Sequence, residues 1–282
     1  GTAPGWLWQL PPASLSLAFK HVRLAGQSAE AVNMSADIDS GLLTIRALDA
    51  ADFGGNRFRL SGTLSPDPAT ASDLVLHLST PDFAVLRESF TPAALLLPGL
   101  VAGHLAGPVE LSVRWRTLEG ERQRLSNLSL GSDGRLDLVM TTPLSGPSAW
   151  KARLQQRETS QLLTRLAPAL LARPDAVLGP VDFYAEGTEQ EGGLWQLTAL
   201  QGQIAGMGLK GGDLSVMPGT PMQINGRLQV ASASLDLWKE NLVPLELARL
   251  LTGSLDVTAD RLTLLAAPMT DATAHLTLEP GG

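Results

Sequence analysis

The feature that most restricts this chain is a short run, met three times, in which apolar and polar residues alternate behind a glycine. Gly107-Pro108-Val109-Glu110-Leu111-Ser112-Val113 is followed by Gly179-Pro180-Val181-Asp182-Phe183-Tyr184-Ala185, and then by Gly253-Ser254-Leu255-Asp256-Val257-Thr258-Ala259. Each run has an acid at its first polar position, and the runs lie about 75 residues apart. Alternation of period two is the signature of a β-strand with one face dry and one face wet. A fold built on it must hide the dry face or put it to use.

What precedes each run also recurs. Asp73 to Leu78, Trp150 to Leu154 and Met222 to Val230 have strand character, and each leads into a helical pattern: Phe83 to Leu97, Thr159 to Leu171, and Leu235 to Leu251. In the second, Ser160 is placed to cap a helix whose Leu162, Leu163, Leu166, Leu170 and Leu171 fall on one stripe. Pro92, Pro168 and Pro244 interrupt the three patterns, so short or broken helices are expected. Further strands are expected over Ala29 to Ile38, Leu42 to Leu48, Asn56 to Leu64, Leu125 to Leu130, Gly134 to Met140, Trp195 to Ile204 and Leu214 to Met217. Turns rich in Gly, Asp, Ser and Pro separate them.

The expected fold is therefore mainly β: a repetitive antiparallel sheet, curled into a groove or sandwich, with a short helical insert once per unit. The expected units are 1–80 (partial), 81–157, 158–231, and 232–282 (partial). Both ends read as cut from something longer, since the chain starts at Gly1 and stops at Pro280-Gly281-Gly282 just after a strand-like run.

Composition narrows the function classes. Hydrophobic residues make up 44% of the chain, enough apolar surface to offset the entropy of ordering it. A net charge of -7 and no Lys/Arg-rich run argue against nucleic acid, whose binding needs clustered cations. With no cysteine there are no disulfides, zinc-thiolate sites or thiol nucleophiles, which suits an oxidising compartment such as a bacterial periplasm without excluding the cytosol. The longest apolar stretch, Ala93 to Gly103, is about half a membrane span and contains Pro98 and Gly99.

Catalytic constellations are absent from the sequence. His21, His77, His104 and His275 lie far apart, without acids or histidines at metal-ligand spacing. Gly206-Met207-Gly208 resembles a dinucleotide loop but lies among strands and opens no helix, so it is expected to be a turn or bulge. Glu110, Asp182 and Asp256 are expected on the solvent face, too far apart along a ladder to act as paired carboxylates. Trp115 continues the apolar set of Val109, Leu111 and Val113, while Trp6 and Trp8 share a face near the N-terminus. Packing accounts for all three. No catalytic residue, metal or cofactor is expected.

The dry face is the candidate functional surface. Its residues include Val109, Leu111, Val113, Val181, Phe183, Leu228, Val230, Leu255 and Val257, all medium-sized apolar side chains in a chain with only 5% aromatic residues. Left open, such a face suits acyl chains, which need a dry wall and few directional contacts. Periodicity alone leaves a closed sandwich core equally open.

The C-terminal run Gly253 to Leu264, with its Asp260-Arg261-Leu262, followed by Pro268 to Leu278, resembles the AsmA family. Asn225-Gly226-Arg227-Leu228 and Arg59-Leu60-Ser61-Gly62-Thr63-Leu64 are similar to the Gly-x-Leu strands repeated through AsmA-like and TamB-like proteins. The resemblance implies a segment of a large Gram-negative envelope protein, anchored in the inner membrane by an N-terminal helix absent from this sequence. It implies a periplasmic β-groove, of the bridge-like lipid transfer kind, that moves phospholipid towards the outer membrane. The implied partners are phospholipid acyl chains and, through other parts of the parent protein, the two membranes. On that view Leu111→Asp or Val257→Asp blocks passage. Two other classes fit the same residues: a periplasmic scaffold or chaperone-like module for outer-membrane proteins, using an exposed strand edge, and a secreted adhesin-type repeat with a closed core.

Overall fold

Period-two alternation becomes strand almost residue for residue in the computed structural model, which describes residues 11–24, 27–66, 71–89, 105, 107–118, 121–131, 133–166, 168–173, 175–190, 192–219, 221–242 and 251–279. Trp6, Trp8, His104, Pro92, Pro244, the run from 93 to 103 and the end from 280 to 282 lie outside the described residues. So do the later parts of the first and third expected helices.

The strands are β1 (Ala13–Leu24), β2 (Gln27–Asp39), β3 (Leu42–Phe53), β4 (Asn56–Leu64), β5 (Ser72–Thr80), β6 (Val109–Leu118), β7 (Glu121–Leu130), β8 (Gly134–Thr142), β9 (Ser148–Gln156), β10 (Val181–Glu189), β11 (Trp195–Ile204), β12 (Met207–Met217), β13 (Met222–Ser234), β14 (Leu251–Leu264) and β15 (Ala267–Leu278). The helices among the described residues are short: α1 (Phe83–Ser89), α2 (Thr159–Leu166) and α3 (Leu235–Asn241), with a 3-10 turn over Pro168–Leu170. Among the described residues the fifteen strands follow one another in the sheet in sequence order. The fold is mainly β and mostly antiparallel, as the alternation implies.

Two compact units divide the chain, one made of 1–131 with 139–146 and the other of 132–138 with 147–282. In the first, β1 to β7 form an antiparallel meander in which each strand pairs with its sequence neighbour. In the second, β9 to β13 continue the same pattern.

The helical inserts sit at strand ends, and two of them share one corner geometry. After β5 the N–H of Phe83 donates to the carbonyl of Gly107 at 3.0 Å; after β9 the N–H of Thr159 donates to that of Gly179 at 2.7 Å. Both glycines have positive φ (76° and 78°), a conformation that costs other residues a steric penalty. An acid holds each corner together. The Asp82 carboxylate accepts from Ala84 N–H (2.9 Å) and Gly107 N–H (3.2 Å), while Glu158 accepts from Ser160 N–H (3.5 Å) and Leu178 N–H (2.7 Å). Ser160 is thus inside α2 rather than its cap, because Glu158, just before the helix, supplies the acceptor two residues earlier. Of the expected leucine stripe, Leu162 is buried and Leu163, Leu166, Leu170 and Leu171 are partly exposed.

The third glycine run departs from this corner. Gly253 lies inside β14, and β14 runs parallel to β13, in register from Met222↔Leu251 to Ser234↔Thr263. A parallel neighbour requires the chain to cross back along the sheet before pairing. The insert containing α3 makes that crossing, and Leu251, expected as helix, is the first residue of β14. Strand direction leaves no mark on period-two alternation, so the sequence matched where the topology did not.

Helix α3 is clamped to two hairpin tips of its own unit. Asp236 accepts from Leu265 N–H (2.7 Å) and Ala266 N–H (2.8 Å), and Trp238 Nε1–H donates to Ala205 O at 2.7 Å. Both tips have consecutive positive-φ residues, Ala205-Gly206 and Leu265-Ala266, the type I′ geometry that suits two-residue hairpins. Gly206 therefore belongs to a turn and Met207-Gly208 opens β12.

Candidate functional site

Residues directly opposite each other in neighbouring strands share a face, so the register shows how the apolar positions line up. In the first unit one row runs Leu17, Met34, Leu48, Leu60, Leu76, Val113 across β1 to β6. A second runs Phe19, Val32, Ala50, Phe58, Leu78, Leu111, Leu128, and a third Leu15, Ala36, Ile45, Gly62, Leu74, Trp115. In the second unit Trp150, Gly187, Leu197, Leu214, Gly226, Leu255 and Leu276 form a row across β9 to β15. Leu228, Val257 and Ala274 form part of the next.

All nine candidate residues fall on these apolar faces, but they divide by exposure. Val109, Leu111, Val113, Val181 and Val230 are at most 2% exposed. Phe183, Leu228, Leu255 and Val257 are half-buried. In the second unit the four half-buried residues converge: Phe183 and Leu228 pack against both the Trp150–Trp195 cluster and the Leu209–Val230 cluster, Leu255 joins the first and Val257 the second. The apolar residues of β1 are the open end of the first face, with Leu15, Leu17 and Phe19 exposed at 44%, 37% and 42%.

Glycines shape the dry wall where large side chains cross it. Gly202 (φ 122°) lies opposite Phe183, and a Cβ added there would sit 2.0 Å from the carbonyl oxygen of Asp182. A Cβ added at Gly187, opposite Trp150, would likewise sit 1.9 Å from Gln196 O. Close backbone passage and a neighbouring ring fill the space a side chain would take. The indole of Trp150 packs on Trp195, with centroids 5.1 Å apart, and its buried N–H has no acceptor among the described residues.

The opposite face is polar and cross-linked by exposed ion pairs. Arg153 reaches Asp182 across the strands (2.9 and 3.0 Å), Lys151 reaches Glu186 (3.2 Å), Lys210 reaches Asp260 (2.6 Å), and Arg114 pairs with Asp73. Hydrogen bonds from Arg153 hold the Asp182 carboxyl below its ordinary range, and those from Ser14 and Arg46 do the same for Asp37. Asp73 is lowered by Arg114, and Glu186 by Tyr184 and then Lys151. Of the recurring acids, Asp182 thus serves an ion pair, Asp256 lies 2.7 Å from His275 Nδ1, and Glu110 is solvent-exposed. A depression of about 360 Å³ on the polar face of the first unit is bordered by Arg57, Arg59, His77, Glu110 and Asn127. Arg59 in it already pairs with Asp49. These groups are spread over a solvated surface, and among the described residues no three His, Asp or Glu gather as a metal site.

One residue of the apolar face escaped the sequence reading. Arg124 lies opposite Trp115, in phase with the buried Ser126, Leu128 and Leu130, and is itself half-buried. The signal was present: extending the β7 alternation two residues back from Ser126 puts a guanidinium on the dry side. Comparison of the chain with protein families, with curated proteins and with solved structures returns no match.

Proposed function

We propose that this chain is a non-catalytic lipid-binding segment of an AsmA-like periplasmic protein, its apolar faces carrying phospholipid acyl chains in outer-membrane biogenesis. The observation that supports this reading is the set of apolar rows in each unit, without acidic side chains in them and open to solvent at Leu15, Leu17 and Phe19 in the first unit and in part at Phe183, Leu228, Leu255 and Val257 in the second. Contiguous exposed apolar surface is costly to keep in water and marks a surface with an apolar occupant. An acyl chain is the simplest one, because it asks only for a dry wall of adequate length. The periplasmic setting and the inner-membrane anchor of the parent protein follow from the AsmA resemblance. Among the described residues no helix is long and apolar enough to cross a membrane.

Mass spectrometry of organic extracts of the purified native chain tests the reading. Phospholipid at a reproducible ratio to protein is expected, and a chain that carries none after isolation without detergent contradicts it. A co-purifying extended peptide in place of lipid would instead point to the scaffold or chaperone-like role. The exposed apolar side chains of β1, which among the described residues has β2 as its single sheet neighbour, give that second reading its footing.

A further inference from the structure

Cations are placed unevenly on the dry face of the first unit. The β7 residues in phase with Ser126, Leu128 and Leu130 include Arg124 and, at the strand's start, Arg122 opposite Thr117. Asp37, Asp49, Asp73, Glu110 and Glu121 fall on the other face by the same register, Asp73 opposite Arg116 and Glu110 opposite Ser129 among them, while the paired Glu30 and Asp52 lie at the far end of β2 and β3 from these arginines' rows. The two arginines stand about 7 Å apart along one strand side. Arg124 is half-buried, with its Nη2 3.2 Å from Met140 Sδ, and Arg122 is exposed. Guanidinium groups at the border of an apolar wall match an amphiphile's junction between charge and hydrocarbon.

Dimensions agree with this match. From Trp115 and Val113 on β6 the apolar rows run back over five strand steps to Leu15 and Leu17 on β1, about 24 Å at the usual strand spacing. One leaflet of a bilayer's hydrocarbon core is about 15 Å thick, so a membrane lipid's acyl chain fits within one row. Its charged end then lies at β7.

We infer that Arg122 and Arg124 form a headgroup site for a phosphate-bearing acyl lipid, fixing its orientation on the first unit with headgroup at β7 and tails towards β1. This rests on the acyl-chain reading above. Arg suits the task because its planar fork pairs with phosphate oxygens in two parallel hydrogen bonds, which a lysine cannot reproduce.

Calorimetry with short-chain probes on the intact chain tests it, using dihexanoyl phosphatidylglycerol, dihexanoylglycerol, hexanoate and inorganic phosphate. The phospholipid is expected to bind about tenfold tighter than the diacylglycerol, an advantage that shrinks with added salt. Arg122→Gln with Arg124→Gln should bring the two within about twofold, and Arg124→Lys should keep only part of the preference. Arg122→Gln alone, at an exposed site that does not threaten folding, should reduce it by about threefold. Equal binding of phospholipid and diacylglycerol, a preference that survives the double variant, or hexanoate or free phosphate binding as tightly as the phospholipid would each overturn the headgroup site. The first two leave the acyl-chain reading standing. Binding of neither lipid would overturn both.

Discussion

Placing a carboxylate on the dry face at Leu228 sets the acyl-chain reading against a sharp control one residue away. Leu228 is half-buried, packs against both apolar clusters of the second unit, and lies in register with Val257. Gln229 follows it in β13 and points to the opposite, exposed face. A chain lying over Leu228→Asp must either strip water from the new carboxylate or lift away from it. Lifting loses the burial of about three to four methylenes at ~0.8 kcal/mol each, or ~3 kcal/mol. Dehydrating an unpaired carboxylate costs more than that, so lifting is the cheaper response. At about 1.4 kcal/mol per decade, the expected loss of affinity for a fluorescent acyl probe is ~100-fold. Gln229→Asp should change it by less than about twofold. Far-UV circular dichroism must show both variants folded, and Leu276→Asp, at a position 44% exposed, repeats the test where the fold is least at risk. Equal affinities for Leu228→Asp and Gln229→Asp would refute the reasoning, since the sidedness of the sheet would then have no bearing on binding.

Three further outcomes follow from the same geometry. Gly202→Ala drives a Cβ to within 2.0 Å of Asp182 O at a positive φ, so urea unfolding should show a loss of at least ~2 kcal/mol; Gly179→Ala, with open space around it, should cost ~1 kcal/mol. Asp236→Ala removes two charge-assisted bonds to the β14–β15 tip, and hydrogen exchange at Leu265 and Ala266 should accelerate while the β9–β10 amides stay protected. Asp37, Asp73, Asp182 and Glu186 all have lowered pKa values in the folded chain, so their contribution is present above the ordinary carboxylate range of about 4 and is lost as pH falls through the lower folded values. Thermal midpoints should therefore drop below about pH 4, and Arg153→Met should reduce that acid dependence.

Much of the sheet was legible because alternation is a local property. The expected runs Trp195 to Ile204 and Asn56 to Leu64 coincide with β11 and β4, and short helices begin at Phe83, Thr159 and Leu235, where the helical patterns begin. What escaped depends on partners distant in sequence. The direction of β14 is set by where its crossover lands, and Ser160 lost its capping role to Glu158 because the corner must also hold Leu178. Strand β1 was missed although Leu15, Leu17 and Phe19 alternate with Ser14, Ser16 and Ala18; it lacks the leading glycine that drew attention elsewhere. For the candidate face, phase assigned each residue to its side, but not its depth. Leu111 and Val113 alternate as Leu228 and Val257 do, yet only the latter pair retains exposure.

That difference in depth selects the positions for the most direct test of the central claim, that the apolar faces are the working surface. A photo-activatable side chain is placed in turn at Leu17, Leu60, Leu228 and Val257 on the dry side, and at Ser16, Ser61, Gln229 and Thr258 one residue further round. The account predicts phospholipid adducts at the first four and none at their neighbours, a period-two pattern along each strand. No adduct at any dry-side position, or adducts of equal yield on both faces, would contradict it.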